Sequence, residues 1–151
     1  MVHLYHMNKC ISCNKELLLR HQQKYCSNKC QNDQQFNQYI KDWKQGKKDG
    51  NRGIIAKNIS RHIKRYLIEK YGERCSKCFW NCRNKKTKIV PLEIDHIDGI
   101  AENNQESNLR LLCPNCHSLT FTFRNLNFGN GRFWRKEKYI KNNVKQISSN
   151  P

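Results

Sequence analysis

Residues 92–99 read Leu-Glu-Ile-Asp-His-Ile-Asp-Gly, and residues 108–118 read Asn-Leu-Arg-Leu-Leu-Cys-Pro-Asn-Cys-His-Ser. Asp95 and His96 end an apolar run. Asn108 follows His96 by twelve positions, and His117 follows Asn108 by nine, directly after a Cys-x-x-Cys. Turn residues between two β-like runs predict the order strand, loop, strand, helix. The expected strands and helix cover residues 89–94, 109–112 and 113–123.

These side chains have the chemistry that hydrolysis of a phosphodiester bond requires: a positioned water, a base and a positive centre. Asp95 and His117 offer one carboxylate oxygen and one imidazole nitrogen, which can hold a divalent ion and leave positions for phosphate and water. His96 would point to the opposite side of a regular strand, so we expect a bend at residues 97–99 to bring it into the same site. Asn108 can then bridge the loop with its amide and fix the tautomer and direction of His96.

Several other candidate side chains have simpler interpretations. Asp98 is expected to serve the turn in preference to binding the metal. Glu93 is expected to point away from the neighbours of Asp95 or into a polar cross-strand contact. The aromatic residues are first of all candidates for the core, with stacking on nucleic-acid bases as the alternative; they are Trp80, Phe121, Phe123, Phe128 and Trp134.

The charge balance of the chain indicates a polyanionic partner. Its 151 residues include 29 Lys and Arg against 12 Asp and Glu, which gives a formal net charge of +17. So large an excess strains a small folded protein by self-repulsion unless phosphates or counterions neutralise it. Phosphate contacts are expected from a basic helix face and from the tail, although a solvated face is an open alternative for the helix. The residues concerned are Arg61, Lys64, Arg65, Arg124, Arg132 and Arg135.

The nine cysteines predict two zinc sites. No transmembrane segment or signal peptide is apparent in the sequence, so we expect a protein of the reducing cytoplasm, where a disulfide framework is disfavoured. Eight cysteines fall into close pairs whose spacing suits four-thiolate zinc sites, with buried thiols or a redox pair as the alternatives. Cys82 is left over, as a free thiol or alternatively as a substitute ligand near the second quartet. The two quartets are Cys10, Cys13, Cys26 and Cys30, and Cys75, Cys78, Cys113 and Cys116.

Composition predicts four segments along the chain. A small metal-stabilised finger comes first, and either DNA or a protein is its partner. A polar linker follows, with a short helix from Phe36 to Trp43 and a basic amphipathic helix that begins near Ile54 or Ser60 and stops at Gly72. The domain with the Asp-His pair and a basic tail complete the chain. The boundaries are 1–35, 36–72, 73–128 and 129–151.

The residues from about 74 to 123 resemble the HNH endonucleases, whose ββα-metal fold has an Asp-His on the first strand, an Asn after the loop and a His on the following helix. The resemblance implies that His96 is the general base and that Asn108 orients it. Asp95 and His117 would bind the catalytic ion, Mg²⁺ or alternatively Mn²⁺. The quartet around Cys75 would be a zinc knuckle, and the products would carry a 5′ phosphate and a 3′ hydroxyl.

The expected fold class is therefore α+β: a small ββα-metal nuclease domain with a four-cysteine zinc knuckle, preceded by a separate N-terminal four-cysteine zinc finger and a connecting helix. The chain as a whole is similar to free-standing HNH homing endonucleases of tailed phages in the runs 25–27, 96–99 and 111–120. That similarity implies a phage-encoded enzyme of the bacterial cytoplasm that acts on double-stranded DNA. One departure is Phe79, where such knuckles usually have Gly.

The expected partners and the competing functions follow from the same resemblance. We expect no membrane, no small-molecule substrate, and a monomer in preference to a dimer. A nicking nuclease of a phage packaging machine and a catalytically inactive zinc-finger protein that binds nucleic acid are the alternatives to a homing enzyme. A restriction enzyme also stays open, although the sequence shows no second recognition domain.

Overall fold

The computed structural model of the chain describes residues 9–19, 22–53 and 58–127. The chain divides into two units, Met1–Lys48 and Asp49–Pro151. Within the described residues, the elements form a small α+β structure with one two-stranded sheet, as the sequence predicts. Predictions that concern residues 54–57 and the tail from residue 128 lie outside the described residues. The elements are helix α1 (Asn28–Lys44), helix α2 (Arg61–Tyr71), strand β1 (Glu93–His96), strand β2 (Leu109–Leu112) and helix α3 (Pro114–Ser118).

Helix α1 follows a cysteine-bearing turn in the first unit. Ser27 caps the helix, because its Oγ accepts a hydrogen bond from the backbone N–H of Cys30 at 3.2 Å. Phe36, Ile40 and Trp43 recur at helical spacing and are buried. The predicted helix is therefore present, but it begins at Asn28 and not near Phe36, since the Ser27 cap starts it within the cysteine turn.

Helix α2 begins and ends where its capping residues predict. The Ser60 Oγ accepts a hydrogen bond from the backbone N–H of His62 at 3.2 Å, and Gly72, with φ of 88°, follows the last turn. Ile63 and Leu67 lie one turn apart and are fully buried. Truncating either side chain to Ala should cost about 2–5 kcal/mol of stability.

The two strands form an antiparallel hairpin that presents the motif residues. Asp95 lies opposite Arg110, and His96 lies opposite Leu109. Strand β1 begins at Glu93, later than predicted, because Pro91 has no N–H for the ladder and the Leu92 N–H bonds instead to the Val90 carbonyl at 2.8 Å. The buried side chains of β2 and of the segment before β1 are Val90, Leu92, Leu109, Leu111 and Leu112.

Helix α3 is one short turn and ends at Ser118, so the predicted continuation to Phe123 is wrong. The reason lies in Thr120, whose backbone N–H and Oγ1 both bond to the His117 carbonyl, at 3.1 and 2.9 Å. A hydroxyl that bonds to a preceding carbonyl competes with the helical ladder. Phe121, expected in the core, is 97% exposed as a result.

The carboxylate of Glu106 ties α2 to the 3₁₀ turn before β2. It accepts hydrogen bonds from Tyr66 Oη and Tyr71 Oη at 2.9 Å, and it forms an ion pair with Lys70. Burial raises the pKa of Glu106, but these hydrogen bonds outweigh burial and lower the pKa below its ordinary 4.5. The segment that leads into β2 is therefore held by charge-assisted bonds.

None of the helices in the described ranges is long and apolar enough to cross a lipid bilayer.

Candidate active site

The hairpin and α3 bring Asp95 and His117 together. Asp95 is 4% exposed, and its Oδ1 lies 3.6 Å from Nε2 of His117. Two ligands about 2.1 Å from one octahedral ion would lie about 3.0 Å apart if adjacent and about 4.2 Å apart if opposite. The observed separation falls between these limits. The carboxylate and the imidazole can therefore share one divalent ion.

Two further side chains hold this pair in place, and the sequence prediction missed both roles. Arg110 Nε donates to Asp95 Oδ2 at 2.7 Å, which leaves Oδ1 turned towards His117. Glu93 Oε2 forms a hydrogen bond with Nδ1 of His117. Both expectations for Glu93, that it points away from the neighbours of Asp95 or into a cross-strand contact, are wrong. Glu93 contacts His117 of α3, because alternate residues of a strand face the same side. That alternation was the available signal.

The ring of His117 is thus held through Nδ1, while Nε2 faces the carboxylate of Asp95. A histidine whose Nδ1 bonds to a carboxylate keeps its proton on Nδ1 and offers the lone pair of Nε2. The Phe123 ring meets the His117 ring edge-on, with the centroids 5.2 Å apart. The direction of the candidate ligand is therefore determined by Glu93 and by packing.

His96 is oriented by Asn104, another residue that the sequence prediction missed. The Asn104 Nδ2 donates to the Asp49 carbonyl at 2.9 Å, so the amide oxygen of Asn104 is the atom that lies 2.9 Å from His96 Nε2. An oxygen acceptor at that distance requires a proton on Nε2. Neutral His96 therefore carries its lone pair on Nδ1. No local pattern could reveal this, because Asp49 lies 55 positions before Asn104.

A glycine makes room for Asn104. Gly50 has φ of +82°, and a Cβ built on it would lie 2.6 Å from the Asn104 Cβ and 2.9 Å from Cδ1 of Ile63. Both distances are shorter than real contacts allow, and the positive φ favours glycine. The orientation of His96 therefore depends on a residue outside the motif.

Asn108 bridges the loop, as predicted, but does not bond to His96. Its Nδ2 donates to Asp98 Oδ1 and to the Asn103 carbonyl, both at 2.8 Å, while its Oδ1 accepts from the Asp98 N–H at 3.0 Å. The predicted direct contact with His96 is wrong, because the loop already uses both N–H donors of Asn108. Asn108 instead holds the bend that follows His96.

Asp98 serves the turn, as predicted. Its Oδ1 accepts from the Ile100 N–H at 2.8 Å, which closes an Asx turn. Burial raises the pKa of Asp98, but the hydrogen bonds from Ile100, Asn103 and Asn108 outweigh burial and lower the pKa. Asp98 is therefore ionised as part of the loop scaffold.

The two cysteine quartets have the geometry of tetrahedral zinc sites. Ligand atoms in each quartet lie within 4.8 Å of one another. Four sulfurs about 2.3 Å from one zinc ion lie about 3.8 Å apart. The sulfur of Cys26 lies 3.5 Å from that of Cys13 and 3.6 Å from that of Cys30, and the sulfurs of Cys78 and Cys113 lie 3.8 Å apart. Both quartets therefore fit zinc.

The thiol pKa values follow the same pattern in both quartets. Burial raises the pKa of Cys10 and of Cys75, but hydrogen bonds from backbone N–H groups outweigh burial and lower each pKa to about 6. A hydrogen bond with a neighbouring thiol raises the pKa of Cys26 and of Cys116 to about 12. A bound cation would lower these thiol pKa values, because a metal ion binds the thiolate form and binding releases the proton.

Comparison with known proteins agrees with this geometry. A family model described as HNH endonuclease matches residues 75–120. This segment is an HNH endonuclease domain. "H-N-H endonuclease F-TflIV" of Escherichia phage T5 is 55% identical over 42 residues, which cover 28% of this chain and 18% of that protein. The chain thus aligns with less than a fifth of the length of this relative. No solved structure matches the chain.

The knuckle of the HNH domain is built like the turn in the first quartet. The Phe79 N–H donates to the Cys75 carbonyl at 2.9 Å, and the Asn14 N–H donates to the Cys10 carbonyl at 2.8 Å. Phe79 has φ of 60° and Asn14 has φ of 59°. Asn tolerates this conformation, whereas a left-handed residue of other types costs about 1–2 kcal/mol. Phe79 thus adopts the turn that its side chain disfavours.

The described residues include Cys82 and four of the six basic residues that are predicted to contact DNA. Cys82 is exposed and lies outside both quartets. Lys64 Nζ donates to the Leu92 carbonyl at 2.6 Å, and Arg65 forms an exposed ion pair with Glu69 at 2.7 Å. Phosphate contact stays a prediction for Arg61, Lys64, Arg65 and Arg124, and the predicted contacts Arg132 and Arg135 lie outside the described residues.

Proposed function

We propose that this protein is a DNA endonuclease that hydrolyses phosphodiester bonds in its HNH domain, with a divalent ion held by Asp95 and His117. The observation that carries the proposal is the 3.6 Å separation of Asp95 Oδ1 and His117 Nε2, within a hairpin and helix that match the HNH endonuclease family. Bound there, Mg²⁺ or Mn²⁺ supplies positive charge against the charge that develops on the phosphate and on the departing 3′ oxygen. The net charge of +17 supports a nucleic-acid substrate.

His96 is the general base in this proposal. Its Nε2 proton is held by Asn104 at 2.9 Å, so Nδ1 is the atom that accepts a proton from the attacking water. Asn104 and the loop held by Asn108 keep the imidazole from turning. General-base catalysis of this kind contributes about 10²–10⁴-fold to the rate. Arg110 and Glu93 act through the ligands, by fixing the carboxylate of Asp95 and the ring of His117.

The cysteine quartets are structural zinc sites in the proposed enzyme. Four thiolates occupy all the coordination positions of a tetrahedral zinc ion and leave none for substrate, so neither quartet takes part in catalysis. The knuckle is joined directly to the site, because Cys113 and Cys116 flank the N-terminus of α3 and His117 follows at once. Loss of that zinc should therefore displace His117.

A plasmid assay tests the enzyme. Purified full-length protein should nick or linearise supercoiled DNA when Mg²⁺ or Mn²⁺ is added. His96→Ala should lose about 10²–10⁴-fold in rate. His62→Ala is the matched control, because His62 lies on α2 outside the site, and it should keep its rate. Absence of cleavage by the wild type with either metal, or equal cleavage by His96→Ala, would refute the proposal.

Within the endonuclease class we assign a homing role: site-specific cleavage of double-stranded DNA by a monomer. The similarity to a phage H-N-H endonuclease over 42 residues supports a phage setting, and the first quartet supplies a second module that can contact DNA. Mapping of cut sites on phage genomes decides the role. One long preferred target supports homing, whereas loose nicking that depends on a packaging terminase contradicts it.

A further inference from the structure

A cavity lined in part by β2 combines aromatic and cationic side chains. Its volume is about 270 Å³, and Tyr71, Arg74, Phe79 and Arg110 are among the residues that line it. Tyr71 is 49% exposed and Phe79 is 63% exposed. None of the described residues that line the cavity is acidic. The cavity is small for a drug-sized ligand but large enough for a single planar group.

The knuckle turn does not explain the side chain of Phe79. Asn14 occupies the equivalent left-handed position in the first quartet, with the same hydrogen bond back to the first cysteine. Asn or Gly would meet the demands of that turn with less strain. The turn therefore gives no reason for a bulky, mostly exposed side chain at φ of 60°, and backbone strain of this kind clusters at functional sites.

The ring of Phe79 already makes a cation–π contact. The Arg74 guanidinium lies over it, 5.4 Å from the centroid. Tyr71 also lines the cavity, and its hydroxyl donates to Glu106 at 2.9 Å. Arg110 lines the same cavity and donates to Asp95, so the cavity is one side chain away from the proposed metal ligands.

We propose that this cavity binds an unpaired base of the DNA substrate, stacked on Phe79. The proposal rests on the endonuclease function and adds a base-binding site beside its metal centre. Aromatic side chains stack on any base, and arginine over an aromatic ring adds a cation beside the polyanion. Extruding a base bends the duplex and exposes the backbone next to it. A paired base cannot reach the cavity, so the site would select DNA that is distorted near the cut.

Binding assays without Mg²⁺ or Mn²⁺ test the site independently of cleavage. The zinc-loaded full-length protein is titrated into a fluorescent duplex and into the same duplex with one extra unpaired base, and anisotropy gives both affinities. The wild type should prefer the bulged duplex. Phe79→Gly should lose about 5- to 150-fold of affinity for the bulged duplex, as expected for one base–aromatic stack, and much less for the paired one.

Three controls separate stacking from damage. Phe79→Gly relieves the strained turn, so its zinc content should be unchanged and its melting temperature should not fall. Phe79→Trp should restore the preference for the bulged duplex. Phe121→Ala removes an aromatic ring that is 97% exposed and does not line the cavity, and it should bind both duplexes like the wild type.

The other outcomes overturn the inference in distinguishable ways. Equal affinity of Phe79→Gly and wild type for the bulged duplex would refute the stacking site and leave the endonuclease proposal intact. An equal loss on both duplexes would make Phe79 a general backbone contact. Altered sedimentation with unchanged DNA affinity would make the cavity a protein-binding surface. Failure of the wild type to bind any DNA would refute the endonuclease proposal as well.

Discussion

Replacing Asn104 with Ala should slow catalysis without weakening DNA binding, because Asn104 holds His96 and contacts none of the proposed metal ligands. The side chain is 4% exposed, and it joins His96 Nε2 to the Asp49 carbonyl through two hydrogen bonds of 2.9 Å. Alanine removes both bonds and leaves the carbonyl without this donor. The imidazole of His96 is then free to turn and to change tautomer.

The expected loss can be bounded from both sides. Partners that orient metal-binding histidines are worth about 10- to 100-fold in activity, the range adopted for Asn104, and the general base as a whole is worth about 10²–10⁴-fold. Asn104→Ala should therefore lower kcat about 10- to 100-fold, less than His96→Ala. Loss of the hydrogen bond from Asn104 to the Asp49 carbonyl should lower the free energy of unfolding by about 0.5–1.5 kcal/mol, which a denaturant titration measures.

The assay compares kcat and KM on a cleavable DNA for the wild type, Asn104→Ala and Asn103→Ala. Asn103 is the matched control, because its side chain bonds to Asp98 at 2.6 Å in the same loop and does not contact His96. Asn104→Ala should lose kcat with KM unchanged, whereas Asn103→Ala should lose much less. An equal loss in both variants would indicate general loop damage, and an unchanged kcat in Asn104→Ala would refute the orienting role.

Three further predictions concern other parts of the site and its scaffold. Glu93→Gln should weaken Mn²⁺ binding about 10- to 100-fold in calorimetry, because the carboxylate that orients His117 is lost, and unchanged affinity would contradict that role. The pKa of Glu106 is lower in the folded chain than its ordinary 4.5, so its stabilising contribution is present above pH 4.5 and is lost as pH falls through the folded pKa. Glu106→Gln should therefore be less stable than wild type at pH 7. Chemical denaturation should show that this difference in stability disappears in acid. Gly99→Ala should lower the melting temperature, because φ is +75° and the new Cβ would lie 2.6 Å from Thr122 Cγ2. An unchanged melting temperature would contradict this prediction, because it would show that Thr122 moves aside without cost.

The sequence predicts the parts of the site that depend on a motif or on local geometry. The convergence of Asp95 and His117, the two cysteine quartets and the caps of α2 are present as expected. Each depends on spacing along a few residues, which strand alternation, helical periodicity and ligand geometry determine. Glu93 also belongs to this class, since its position two residues before Asp95 places both on one face.

The rest depends on contacts between distant segments. The bond between Asn104 and Asp49 spans 55 positions, and no periodicity in the sequence indicates it. The end of α3 depends on a single hydroxyl, that of Thr120, which competes with the helix for the His117 carbonyl. The conformational preference of Phe opposes a left-handed residue at position 79. The hydrogen-bonded turn of the knuckle nevertheless holds Phe79 in that conformation.

The most direct test of the site is electron spin-echo spectroscopy of Mn²⁺ bound to the zinc-loaded protein. Nitrogen modulation from one imidazole should appear in the wild type, disappear in His117→Ala and persist in His96→Ala. Asp95→Ala should weaken Mn²⁺ binding. A wild-type spectrum without nitrogen coupling, or one that His117→Ala leaves unchanged, would show that His117 does not hold the ion.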